Sequence, residues 1–353
     1  MAHMSRDHRW TRTQRAGTRP RTLDFGWRDL VRLNPTPPGS HRVALRAGVS
    51  VAVPLLTVVA LDRTPWALYA AFGAFTSLYG RNHVRLPRAV MQATAGTALV
   101  AAVTLGSVLA AMGAGPWLLV GVAVAVAGLG SLLSTTLDWH PSGPLFMIFA
   151  FGTVSSAPGD WSHVGTALTV SAASAGFALV VGNVGAMATR APRQETPRLR
   201  SPWGPDPLRF MAAVAVAGAI ATAAGIGHPW WAMVAAAAPL SVRGRAHQAL
   251  RAGHRIAGTL LGLAASAPLL LLELDPVPLV LVVVALQFVT ELFVGRNYGL
   301  ALLFITPMAL LMGQLGASQS ASALLFDRGV ETVIGALVAV ALLSIENRRA
   351  HQW

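Results

Sequence analysis

The chain has 353 residues, of which 54% are hydrophobic and only 12% charged, and it carries a formal net charge of +13. A soluble domain of this length needs far more charge, and apolar runs of about 15 to 23 residues recur along it, so the composition is that of an all-α polytopic membrane protein. All 27 basic residues are arginine, with no lysine and no cysteine, which excludes a Walker-type phosphate loop, a Schiff-base lysine, a thiol nucleophile, a disulfide and an iron-sulfur cluster.

Residues 1–40 form a basic tail without an apolar core long enough for a signal peptide, so they are expected to stay in the cytoplasm. Met1 to Met4 has the look of a cloning scar. Within the tail, DFGWRDLVRL sets Trp27, Leu30 and Val31 on one helical face, which suits either a helix at the headgroup boundary or a disordered basic stretch. The first membrane unit, 41–188, holds six apolar segments, at about 43–61, 66–79, 89–111, 116–136, 144–157 and 164–187. A proline- and arginine-rich linker at 189–206 is too short and polar to fold alone. The second unit, 207–346, holds six more, at about 208–226, 229–242, 256–272, 276–294, 298–315 and 329–345, before a short tail at 347–353.

Placing the first tail in the cytoplasm assigns 25 arginines to the inner side and only Arg63 and Arg328 to the outer side. Such an asymmetry predicts twelve transmembrane helices with both termini cytoplasmic, because one extra crossing would scramble it. The positive charge thus follows from topology, and no nucleic-acid partner is expected.

The chain also reads as a duplication. Trp66 matches Trp231 at a shift of 165, Gly96 matches Gly258 at 162, and Arg46 matches Arg209 at 163. Six is an even number of crossings, so the two six-helix repeats are expected to be parallel, related by a pseudo-twofold axis along the membrane normal. A fused homodimer gives that arrangement, and association into a homo-oligomer stays open.

Three stretches carry a resemblance: PWWA followed by arginines and RIAGTLLG, GRNYGLALLFITPMALLMG at 295–313, and DRGVETVIGALVAV at 327–340 with its R-x-x-E-T-x-I-G pattern. They resemble the fusaric acid resistance protein-like family, which includes bacterial aromatic acid exporters and is similar to plant aluminium-activated malate transporters. The first half keeps Pro-Trp-Ala and Gly-Thr, but Ala93 stands where the second half has Arg255. The resemblance implies export or passive conduction of small organic anions, aromatic carboxylates among them, across a bacterial inner membrane. A non-transporting scaffold for envelope assembly is the alternative, since fold does not decide function.

Candidate pathway residues follow from two arguments. Arg81, Arg85 and Arg88 in one half, and Arg243, Arg245, Arg251 and Arg255 in the other, would gather anions at the inner mouths. Arg255 ranks highest among them, because it stands at the edge of an apolar run. The second segment of each half is only 14 residues long, and short or interrupted segments at matching positions point to a transport route. Tyr69 and Thr76 in the first half, and Tyr298 and Thr306 in the second, are expected along that route, with Trp66, Trp230 or Trp231 narrowing its outer end. Glu331 is read as the one carboxylate inside a segment, about one turn deep, serving either proton coupling or the helix dipole. No nucleophile and base constellation is visible, and the histidines lack metal-ligand spacing, so no catalysis, cofactor or metal is expected.

Overall fold

The structure, a computed structural model, describes residues 27–37, 39–81, 83, 86–184, 206–316 and 320–350. Among these every regular element is helical. A five-residue helix α1 (Trp27–Val31) precedes α2 (Ser40–Ala60), α3 (Ala67–Ala74), α4 (Leu86–Ala111), α5 (Pro116–Thr136), α6 (Leu145–Ser155) and α7 (Trp161–Val184). The second half supplies α8 (Asp206–Ala223), α9 (Pro229–Leu240), α10 (Arg245–Leu271), α11 (Pro276–Phe293), α12 (Tyr298–Gly316) and α13 (Ala321–Ala350). Proline opens α5, α9 and α11, where its missing N–H would have had no partner within the helix.

Nine helices among the described residues are long and apolar enough to cross a membrane. Besides the five-residue α1, the exceptions are α3, α6 and α9, with 8, 11 and 12 residues. At about 1.5 Å per residue these reach roughly 12 to 18 Å, against a hydrocarbon core about 30 Å thick. One turn of 3₁₀ helix at each end, Thr64–Trp66 and Phe75–Leu78, lengthens α3. Every residue of α3, and every residue of α9 from Trp230 onward, is buried in the protein. Short helices are tolerated here because protein rather than lipid surrounds their ends.

The long helices wrap these short ones. Helix α3 packs on α7 and α2, and α9 packs on α13 and α8. Helix α4 lies against α6 and α7, as α10 lies against α12 and α13. Across the halves, α2 packs on α11 and α5 on α8. Small residues permit the closest approaches: a Cβ at Gly73 of α3 would strike the Ser171 carbonyl of α7, and one at Gly335 of α13 would strike the Ala232 carbonyl of α9.

Loops from both halves meet at one end of the bundle. The Gly80 amide donates to the His140 carbonyl at 2.8 Å, and the Ser142 hydroxyl donates to the Ser241 carbonyl at 2.7 Å. The buried Arg88 closes the first of these loops by donating to the carbonyls of His83 (2.7 Å from Nε) and Gly182 (2.8 Å), so it holds backbone rather than facing a cavity. We refer to this as the arginine-rich end. The tail segment is held there too. His254 Nε2 and Asn297 Nδ2 donate to the Leu30 carbonyl at 2.9 and 2.8 Å, which joins α1 to α10 and to the turn before α12.

Three expectations change. Helix α13 begins at Ala321, not near residue 329, so Glu331 lies almost three turns in rather than one. Arg328, expected in an outer loop, is therefore a buried helical residue. Glu291 is a second carboxylate within an apolar helix, α11. Met1 to Met4 and nearly all of the 189–206 linker lie outside the described residues.

Candidate functional site

A cavity of about 380 Å³ lies between the halves, beside the loops of the arginine-rich end. Its polar wall draws on five parts of the chain. Arg81 follows α3, Arg251 and Arg255 come one turn apart from α10, Tyr298 opens α12, and Arg328 comes from α13. Helix α11 adds Gln287, Thr290 and Glu291, the one carboxylate among the lining residues. Phe75, Phe146, Phe149, Met308 and Met312 form the apolar wall.

The guanidinium groups are short of partners. Arg255, 3% exposed, donates from Nη1 to the Tyr298 hydroxyl at 3.0 Å, while its Nε and Nη2 have no hydrogen-bond partner among the described residues. Arg251 lies over the ring of the same phenol, 4.0 Å from its centroid, and its Nε is also without a partner among the described residues. Arg328, 2% exposed, lies 4.9 Å from the Trp231 ring, and its Nε and Nη1 have no partner among the described residues. A buried cation is costly unless an opposite charge and hydrogen-bond acceptors meet it. Two such groups, with the half-buried Arg251 beside them, face one cavity and make a site for an anion with several acceptor oxygens, since guanidinium offers its donors in a fixed fork.

Arg81 is the exception, because it forms an ion pair with Glu291. Gln287 Nε2 reaches the other Glu291 oxygen at 3.4 Å. The pair bridges the two halves of the chain.

At the other end a smaller cavity, about 70 Å³, is lined by His228, Trp230, Trp231, Leu68 and Leu310. Phe72 also lines it, packed edge-on against Phe149 at 5.1 Å. Phe149, Ala309 and Met312 line both cavities, so an apolar partition separates the two spaces. A Cβ at Gly152 would strike Trp230, so only glycine lets α6 approach this indole.

Beside the partition lies a charged cluster. His228 stacks on Trp231 at 4.6 Å and its Nδ1 lies 2.8 Å from Asp327 Oδ2. The His228 amide donates to Glu331 Oε1 at 3.1 Å. Glu331 is 0% exposed, and its Oε2 has no partner among the described residues.

The remaining candidates are distributed as follows. Arg81, Arg255 and Tyr298 line the central cavity, and Trp230 and Trp231 line the smaller one. Arg243 is exposed and borders a lateral space with Asp206 and Arg209. Trp66 lies outside both cavities, beneath Arg63 at 5.6 Å. Tyr69, Thr76 and Thr306 are buried in helix contacts, with Thr76 against Gly96 and Thr306 against Gly262. Three residues of the site were not singled out from sequence: Arg328, Glu291 and Gln287. The spacing of Gln287 and Glu291, four apart near the end of an otherwise apolar helix, is the signal that could have found the last two.

No curated protein and no solved structure matches the chain. Residues 214–342 do match the family model described as fusaric acid resistance protein-like. That stretch includes Trp231, Arg251, Arg255, Glu291, Tyr298, Arg328 and Glu331, so much of the polar wall comes from it. The chain is a multi-pass helical membrane protein whose second half, over residues 214–342, is similar to the fusaric acid resistance protein-like family.

Proposed function

We propose that this protein is a secondary transporter, an exporter or a channel, for small organic anions, aromatic carboxylates among them. The observation that carries the reading is the trio around one cavity, Arg255 and Arg328 buried and Arg251 half-buried, with N–H groups that have no partner among the described residues. The apolar wall of Phe75, Phe146 and Phe149 favours a hydrophobic body on the anion. The Phe149 and Met312 partition then acts as the gate between the two cavities, and Glu331 as the proton-coupling group.

In this reading the chain crosses a bacterial inner membrane twelve times, with both termini and the arginine-rich end cytoplasmic. Two parallel six-helix repeats, within 41–188 and 207–346, are related by a pseudo-twofold axis. The reciprocal contacts of α2 with α11 and of α5 with α8 support that symmetry. The 189–206 linker and the tails at 1–40 and 347–353 then lie on the cytoplasmic side.

The test is flux of radiolabelled benzoate in liposomes containing the purified chain, with and without a pH gradient. Saturable flux above that of empty liposomes is expected. Flux equal to that of empty liposomes for benzoate and for a small set of aliphatic carboxylates would refute the reading.

A further inference from the structure

Resting on the transport reading, we infer that anion and proton bind this site together rather than in competition, with Glu331 as the proton acceptor and the His228–Asp327 pair as its port on the smaller cavity. The inference starts from helix α13, where Asp327, Arg328 and Glu331 occupy one turn. Residues three apart on a helix are neighbours, about 5–6 Å between Cβ atoms. Yet Arg328 Nε and Nη1 and Glu331 Oε2 have no partner among the described residues, so the two side chains are adjacent but not joined.

Their surroundings differ. Arg328 lines the central cavity, whereas Glu331 lines neither cavity and touches the His228 amide. His228 does line the smaller cavity, and its ring meets Asp327. A proton arriving from that side therefore meets His228 and Asp327 before Glu331. An anion in the central cavity meets Arg328.

The charged groups around Glu331 can be named element by element. Its own helix carries Asp327 and Arg328, the segment leading into α9 carries His228, and α10 carries Arg251 and Arg255. The Tyr298 hydroxyl of α12 binds Arg255. Helix α8 carries Asp206 and Arg209, but Arg209 is paired with Glu346, some four turns further along α13.

The sign of the coupling follows. An ionised Glu331 offsets the charge of Arg328 and repels an anion in the cavity. A protonated Glu331 leaves Arg328 and Arg255 uncompensated, which favours the anion. By linkage an anion bound at Arg328 draws a proton onto Glu331, so binding takes up protons. Such a site carries anion and proton in the same direction. An inward proton gradient then draws the anion inward, and export requires an outward anion gradient large enough to carry the accompanying proton out against its own gradient.

The experiment adds benzoate to the purified full-length chain in weakly buffered detergent containing a pH indicator, at several pH values between about 6 and 9. The expected result is alkalinisation on binding, approaching one proton per bound anion, with apparent affinity rising up to about tenfold per unit fall in pH in the range where uptake occurs. Glu331→Gln should bind at least as tightly as the wild-type chain at its lowest pH, with no uptake. His228→Gln should slow proton-driven benzoate flux in liposomes while leaving equilibrium uptake in place. Proton release on binding, or pH-independent binding by the wild-type chain, overturns the inference and leaves anion transport standing. Uptake that survives in Glu331→Gln but vanishes in Glu291→Gln also overturns it. If Glu331→Gln does not fold, the sign measured on the wild-type chain decides. Absence of any binding or flux overturns the transport reading and this inference with it.

Discussion

Arg81 and Glu291, 210 positions apart in the chain, form an ion pair at the arginine-rich end of the central cavity, one from each half of the protein. Among the described residues Glu291 is the one carboxylate on a wall that otherwise carries four guanidinium groups. It therefore competes with any external carboxylate for Arg81. Glu291→Gln should free Arg81, and benzoate should then bind more tightly, by a fewfold. Arg81→Gln should weaken binding while leaving an uncompensated buried acid. A binding titration of both variants checks this, and weaker binding in Glu291→Gln would contradict it.

Arg255 and Tyr298 give a graded pair of effects. Removing one member of a buried, hydrogen-bonded charge contact costs about 2 kcal/mol or more, roughly thirtyfold in affinity. Arg255→Gln is expected to lose at least that much benzoate affinity. Tyr298→Phe keeps the ring under Arg251 and removes only the hydroxyl contact, so it should cost about 1–2 kcal/mol. Equal losses in the two variants would show that Arg255 acts through Tyr298 alone.

Water access can be mapped directly, because the chain has no native cysteine. Ser241 borders the central cavity, whereas Thr76 and Thr306 are packed against glycines of neighbouring helices. A single cysteine at Ser241 should react with a charged, water-soluble maleimide. Cysteines at Thr76 and Thr306 should stay unlabelled until the protein is denatured.

Gly335 tests the packing of α13 on α9. A Cβ there meets the Ala232 carbonyl, so Gly335→Val should destabilise by about 1–3 kcal/mol through overpacking. Gly165 has no neighbour within 4 Å of the equivalent position, and Gly165→Ala should be neutral. Thermal unfolding of the two variants in detergent compares them.

Orientation has its own test. A periplasm-active reporter fused after residue 160 should give signal, and one fused after residue 200 should not. The opposite pattern would reverse the arginine asymmetry and refute twelve crossings with cytoplasmic termini.

From the sequence alone came the membrane class, the helical segments and the family resemblance of the second half, because each rests on local quantities. Apolar run length decides a crossing helix, and arginine counts bias its direction. Arg255 and Tyr298 were legible as well, since a charge or phenol at the edge of an apolar run stands out. Only the tertiary structure decided which charges meet. Arg328 reads as a loop residue because Asp327 and Arg328 interrupt the hydropathy, yet α13 continues through them while Trp231 covers the guanidinium. Glu291 is hidden inside an apolar helix, and its role depends on Arg81, brought to it by a loop from the other half. Thr76 and Thr306 share the polarity expected of a route, but packing against Gly96 and Gly262 turns them into helix contacts. Burial and pairing of a charge are properties of the neighbours that folding supplies, and those neighbours are far away in the chain.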